Sequence, residues 1–80
     1  MMISGILVVT RPERERETRA ALQAYPWLDI HHSDSKGRLV ITIDSSSTEE
    51  GIGRLREIQE LPQVILAEMM EHYVEDGTES

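Results

Sequence analysis

The sequence predicts an α+β fold, a split βαβ sandwich of order βαββαβ, in which a four-stranded antiparallel sheet carries two helices on one face. Three observations carry that expectation. Residues 3–26 run from a β-branched stretch through a charged helical pattern to Tyr25-Pro26; residues 39–62 repeat the order and end on Leu61-Pro62, at a constant offset of 36 (62 − 26 = 36 and 39 − 3 = 36). An aliphatic run follows each proline, so each half reads strand, helix, strand. Asp34-Ser35-Lys36-Gly37 joins two strand-like runs as a hairpin turn. At 80 residues there is room for one core and none for a buried catalytic cleft.

Residues 3–10 form the first strand by length and β-branched content, and Pro12 suits the first helical position after it. The helix then runs to about Ala24. Ala21, Leu22 and Tyr25, with Thr18 a turn earlier, share one face, while Glu13, Arg14, Glu15, Arg16, Glu17 and Arg19 supply alternating charges for a solvated side. Residues 28–33 form strand two and residues 38–44 strand three, with Gly37 free to take a positive φ between them. Ser47-Thr48-Glu49-Glu50 reads as a capping box, Ser47 as N-cap and Glu50 at N3, opening a second helix that buries Ile52, Leu55 and Ile58. Gly51 and Gly53 weaken its first turns by roughly 1 kcal/mol each relative to alanine, and Pro62 ends it. Residues 64–74 form the last strand. The predicted division is therefore a folded domain over residues 1–74 and a polar, acidic tail over residues 75–80 that is expected to fray.

Strand three sorts by period two into Leu39, Ile41 and Ile43 on one side and Val40, Thr42 and Asp44 on the other, and the first set is expected to face the helices. Carrying the offset of 36 back to strand one puts Ile3, Gly5 and Leu7 on the helix side and leaves Ser4, Ile6, Val8 and Thr10 on the open side. With strands one and three central, Ile6, Val8, Val40 and Thr42 would form an apolar strip, either a contact surface or a patch covered by long neighbouring side chains or a second copy. Strand four is mixed in both phases. The same offset would add Met69, Glu71 and Tyr73 to the open face, and a bulge at Ala67-Glu68 would reverse the later half.

Composition narrows the function classes. The absence of cysteine removes disulfides, thiol nucleophiles and Cys-based metal sites. Residues 1–9 are apolar but lack a basic leader, and Arg11 and Glu13 end the run too soon for a signal peptide or membrane span, so cytoplasmic residence without membrane insertion is expected. Eight basic against fifteen acidic residues give a net charge of −7, which repels nucleic acid and anionic lipid and attracts a cationic partner. With no Phe, one Trp and two Tyr, the sheet lacks the stacking aromatics of an RNA-binding face. His31 and His32 are adjacent on a strand, point to opposite faces and cannot hold one ion together; His32 reads as a half-buried edge residue, and no metal site is expected. No nucleophile triad or phosphate loop is present, and Gly51-Ile52-Gly53 lies within a helix rather than after a strand. Neither catalysis nor a cofactor is expected.

The run of residues carries more than any one motif: Ile3-Ser4, Leu7-Val8-Val9, Pro12-Glu13-Arg14, Leu22 with Tyr25-Pro26, Ser33-Asp34, Gly37-Arg38-Leu39-Val40, Asp44, Leu61-Pro62 with Val64, Leu66-Ala67, and His72-Tyr73 before the acidic tail. In order and spacing this resembles the NapD family, cytoplasmic chaperones for maturation of the periplasmic nitrate reductase. The chain departs from the family pattern in two turns, Pro26-Trp27 and Pro62-Gln63 where Pro-Gly is usual, and in the order of His72-Tyr73, so those turns need other backbone angles.

The resemblance implies a ferredoxin-like fold and a non-enzymatic role: binding the twin-arginine signal peptide of the reductase's catalytic subunit and holding back export until the molybdenum cofactor is inserted. On that reading Ile6, Val8, Val40, Thr42 and Met69 are the expected apolar contacts, with Asp44, Glu68 and Glu71 for the arginines. The expected partner is the signal peptide of an exported molybdenum-containing reductase precursor, and the chain is expected to be a monomer or weak dimer. The alternative from another class is a regulatory module that dimerises through its sheet and binds a small effector.

Overall fold

A computed structural model describes the backbone over residues 1–74; the expected tail, residues 75–80, lies outside the described residues. The elements are β1 (Met2–Thr10), a 3₁₀ turn (Pro12–Arg14), α1 (Glu15–Gln23), β2 (Leu28–Ser33), β3 (Arg38–Ser45), α2 (Thr48–Gln59) and β4 (Val64–Val74). The sheet is antiparallel, in the order β2-β3-β1-β4, so β1 and β3 are central as expected. α1 packs over β2 and α2 over β3 and β4, which is the ferredoxin-like α+β sandwich. The first helix opens later than its pattern suggests, because Pro12 starts a 3₁₀ turn before the α-helical ladder begins.

The core consists of Ile6, Val8, Leu22, Leu28, Leu39, Ile41, Ile43, Ile58 and Ala67. The phase expected for β3 holds, but that of β1 is inverted. Ile6 and Val8 are 0% exposed, and the register pairs Ile6 with Ile41 and Val8 with Leu39, so both face the helices. The offset of 36 relates the helices and prolines (58 − 22 = 36), whereas the core positions of the strands differ by 35 (41 − 6 = 35). The two strand-to-helix connections thus differ by one residue. Because side chains alternate, one residue moves every side chain of a strand to the other face. Met69 is misplaced by a shift in β4 itself: the register slips by one residue between Val9 and Thr10, so Met69 stands opposite Ile6 and lines an apolar groove with Ser4, Thr48, Gly51 and Ile52 on the helix side.

The inversion buries two polar residues of β1 as well, Ser4 and Thr10. Thr10 donates to the carbonyl of Gln63 at 2.6 Å, and the Thr18 hydroxyl lies 3.1 Å from Thr10 Oγ1 and 2.8 Å from the Arg14 carbonyl. These bonds satisfy the Thr10 and Thr18 hydroxyls and tie β1, α1 and the turn before β4 together.

In α2 the buried stripe is Gly51 and Ile58, with half-buried Leu55 between them. Ile52 is 48% exposed rather than buried, since it lies one position, about 100° of helix, off that stripe. The cap is present in altered form. Ser47 Oγ accepts from the amide of Glu50 at 3.1 Å, while Glu50 Oε1 accepts from the amide of Ser46, not Ser47, at 2.6 Å. A Cβ at Gly51 would sit 3.1 Å from Ser45 Oγ, whereas one at Gly53 would meet nothing within 4 Å. Gly53→Ala is therefore expected to raise stability by about 0.5–1 kcal/mol, read from the urea midpoint; an unchanged or lowered midpoint would contradict the helical geometry assigned there.

The two proline turns close through amide donation from Leu28 to the carbonyl of Tyr25 and from Val64 to that of Leu61. Among the described residues no non-glycine residue has a positive φ. That excludes a type II turn with Trp27 or Gln63 in its third position, so these turns take the other backbone angles that replacing glycine demands. In the β2–β3 hairpin Gly37 has φ 86°, and Asp34 Oδ1 accepts from the amides of Lys36 and Arg38. Those donors, that of Arg38 foremost, hold the Asp34 carboxyl below the usual carboxylate range.

Candidate functional site

With both helices on one side, the other side of the sheet is uncovered by any described residue, and the corrected phase decides what lies there. β1 presents Ile3, Gly5, Leu7 and Val9; β3 presents Val40, Thr42 and Asp44. Leu7 stands between Val40 and Glu68, Gly5 between Thr42 and Glu71, and Val9 between Arg38 and Leu66. Ile3, Leu7, Val9 and Val40 are each half-buried, because neighbours in the sheet cover their flanks but no layer of described residues lies above them. Leu66, at the β4 edge, is 46% exposed. These residues form the apolar strip.

Of the residues expected at this face, Val40, Thr42, Glu68 and Glu71 lie on it, Asp44 stands at its end, and Ile6, Val8 and Met69 lie on the helix side. Ile3, Leu7, Val9 and Leu66 were missed. β1 is apolar in both phases, so its alternation carries no signal; only its buried hydroxyls distinguish the faces. Glu71 reaches the uncovered face through a register shift between Gly5 and Ile6, which skips Met70, two residues beyond the Ala67-Glu68 position considered for a bulge. Its Cγ lies 3.5 Å from where a Cβ of Gly5 would be, so its stem crosses the notch that glycine leaves.

The rim is acidic. Asp29 is the register partner of Thr42, and Asp29, Glu68 and Glu71 form no ion pair among the described residues. The surface arginines Arg14, Arg19, Arg38 and Arg54 are paired, with Glu17, Glu15, Asp34 and Glu50 respectively. The unbalanced charge of this face is therefore negative.

The histidines correct another expectation. A register shift between Ile30 and His32 inserts His31 as an extra residue in β2. His31 Nε2 lies 2.7 Å from Thr42 Oγ1, and His32 stands opposite Val40, so both belong to the uncovered face. Both are exposed, and His32 is not half-buried. Among the described residues no group of three or more His, Asp or Glu is placed to hold an ion, and no helix is long and apolar enough to cross a membrane.

At the Asp44 end the strip meets an open cavity of about 590 Å³ lined by Pro26, Trp27, Asp44, Glu50 and Arg54 among others. Tyr25 stacks on Trp27 with ring centroids 4.5 Å apart, and the Arg54 guanidinium lies 4.9 Å from the centroid of the Trp27 ring. Burial raises the Tyr25 phenol pKa above its ordinary value, with the charge of Glu57 adding to the effect.

The sequence profile of one family, described as NapD protein, matches residues 1–76. The chain belongs to the NapD family. Among solved structures, the solution structure of the E. coli Tat proofreading chaperone protein NapD superposes with a TM-score of 0.82 at 20% identity, covering 96% of this chain and 82% of that one. The crystal structure of hypothetical protein PHS023 from Pyrococcus horikoshii does so with a TM-score of 0.81, again at 20% identity, covering 96% and 94%. At that identity the likeness is one of fold. No curated protein matches the chain in sequence. The NapD fold thus leaves one sheet face open here, and in this member its centre is aliphatic and its rim carboxylate.

Proposed function

We propose that the chain is a non-enzymatic, cytoplasmic chaperone that binds the twin-arginine signal peptide of the periplasmic nitrate reductase catalytic subunit on the uncovered sheet face. By occluding the paired arginines it holds back export until the molybdenum cofactor is inserted. Membership of the NapD family supports the reading, as does the fold shared with a protein described as a Tat proofreading chaperone. The observation that carries it is the pairing of an aliphatic strip with carboxylates that lack a partner among the described residues. A signal peptide of this class is cationic and apolar, and the face answers both properties. Ile3, Leu7, Val9, Val40 and Thr42 supply the apolar contact, and Asp44, Glu68 and Glu71 the charge. Ile6, Val8 and Met69 take no part.

Calorimetry with a synthetic peptide of paired arginines followed by an apolar segment tests this. Leu7→Asp should lower affinity at least about tenfold, since it removes the central apolar contact. Raising ionic strength should weaken binding by the wild-type chain. Affinity indifferent to both changes would remove the sheet face from the mechanism. A stable dimer in light scattering without peptide, closing that face, would replace the chaperone reading with the regulatory module.

A further inference from the structure

We infer that the cavity at the Asp44 end of the sheet seats an arginine side chain of the bound peptide and thereby sets the peptide's direction along the face. The inference rests on the chaperone reading above and deepens it. The corner already holds one guanidinium, that of Arg54. It lies over Trp27, donates through Nη1 to the backbone carbonyl of Asp44, and has Nη2 3.4 Å from Glu50 Oε2. Glu50 thus balances Arg54, and the Asp44 carboxylate is left without an ion pair among the described residues. Its Oδ1 is closed off from solvent and has no hydrogen-bond donor among the described residues. The charge of that carboxylate is unbalanced, and a guanidinium, with five N–H groups in one plane, can meet it through the carboxylate's other oxygen. Pro26 and Trp27 offer apolar surface beside it for the stem of such a side chain.

Charge along the face gives the direction. From Val40 to Asp44 the strip runs about 13 Å at about 3.3 Å per residue. At the Val9 end stand Leu66 and Arg38, whose charge Asp34 already balances; towards the Ile3 end stand Glu71, beside Gly5, and Asp44, opposite Ile3, neither of them in an ion pair among the described residues. The unbalanced carboxylates draw the arginines to the second end, so the apolar part of the peptide lies over Leu7, Val40 and Val9.

Trp27 is the only tryptophan and lines the cavity, so its emission reports occupancy. The probes are the paired-arginine peptide and a second in which both arginines are alanine, each added to the full chain and to Asp44→Asn. The expected result is a Trp27 spectral shift with the first peptide only. Calorimetry should give about a tenfold loss of affinity for that peptide in Asp44→Asn and no change for the alanine peptide. Equal losses for both peptides, or the same Trp27 response to both, would overturn the seat while leaving peptide binding intact. If neither peptide binds the wild-type chain, the chaperone reading fails and this inference fails with it. The wild-type fluorescence comparison decides the matter even should Asp44→Asn not fold.

Discussion

Ile6→Ala is expected to lower unfolding free energy by about 2–4 kcal/mol, whereas Leu7→Ala should cost less than about 1 kcal/mol. The two residues are neighbours on one strand and similar in size, so the contrast isolates the face each occupies. Ile6 is 0% exposed and stands between Ile41 and Met69 under the helices, where removing three carbons leaves a cavity that a close-packed core fills only in part. Leu7 stands between Val40 and Glu68 on a face no layer covers, so the space it vacates admits water. Urea midpoints of the two variants against wild type measure the difference. Peptide affinity should rank the other way, with Leu7→Ala weakening binding and folded Ile6→Ala leaving it close to wild type. A Leu7 variant less stable than the Ile6 variant would invert β1 again and remove the proposed strip.

Gly37→Ala should cost at least about 3 kcal/mol, against a total stability of roughly 4–12 kcal/mol for a domain of this length. Two effects combine. At φ 86° a side chain is strained by about 1–2 kcal/mol. The added Cβ would also fall 2.1 Å from the carbonyl oxygen of Thr10, a backbone atom that cannot swing aside. Relief requires the hairpin to move off the end of β1, which breaks the bond from the Thr10 amide to the Gly37 carbonyl at 2.8 Å. Gly37→Ala should shift the urea midpoint far more than Gly53→Ala does, and in the opposite direction. A near-wild-type midpoint would mean that the hairpin is not pressed against β1.

The turn that requires Gly37 was legible because its reason is local: Asp34, Ser35 and Lys36 lead to a residue that must take a positive φ. That the same glycine also abuts Thr10 was not legible, since a contact across 27 residues of sequence leaves no mark on either segment. The candidate site divides in the same way. Val40 and Thr42 could be placed because β3 alternates cleanly. Ile6 and Val8 could not, because β1 offers branched aliphatics in both phases and the repeat slips by one residue between helices and strands. His31 and Glu71 reach the uncovered face through register shifts of β2 and β4, and a bulge depends on how neighbouring strands fit, not on the strand's own residues.

By itself the sequence determined the kind and order of the elements, the hairpin, the capped second helix, the negative charge and the family. Each of these rests on interactions within a few residues or on composition. Only the tertiary structure decided which half of β1 is core, which carboxylates rim the open face, and that Trp27, Arg54 and Asp44 meet at one corner. Those facts depend on tertiary packing, above all that of β1, which is apolar on both sides. There the burial energy of the two phases is nearly equal, and connection length and buried hydroxyl pairing settle the choice.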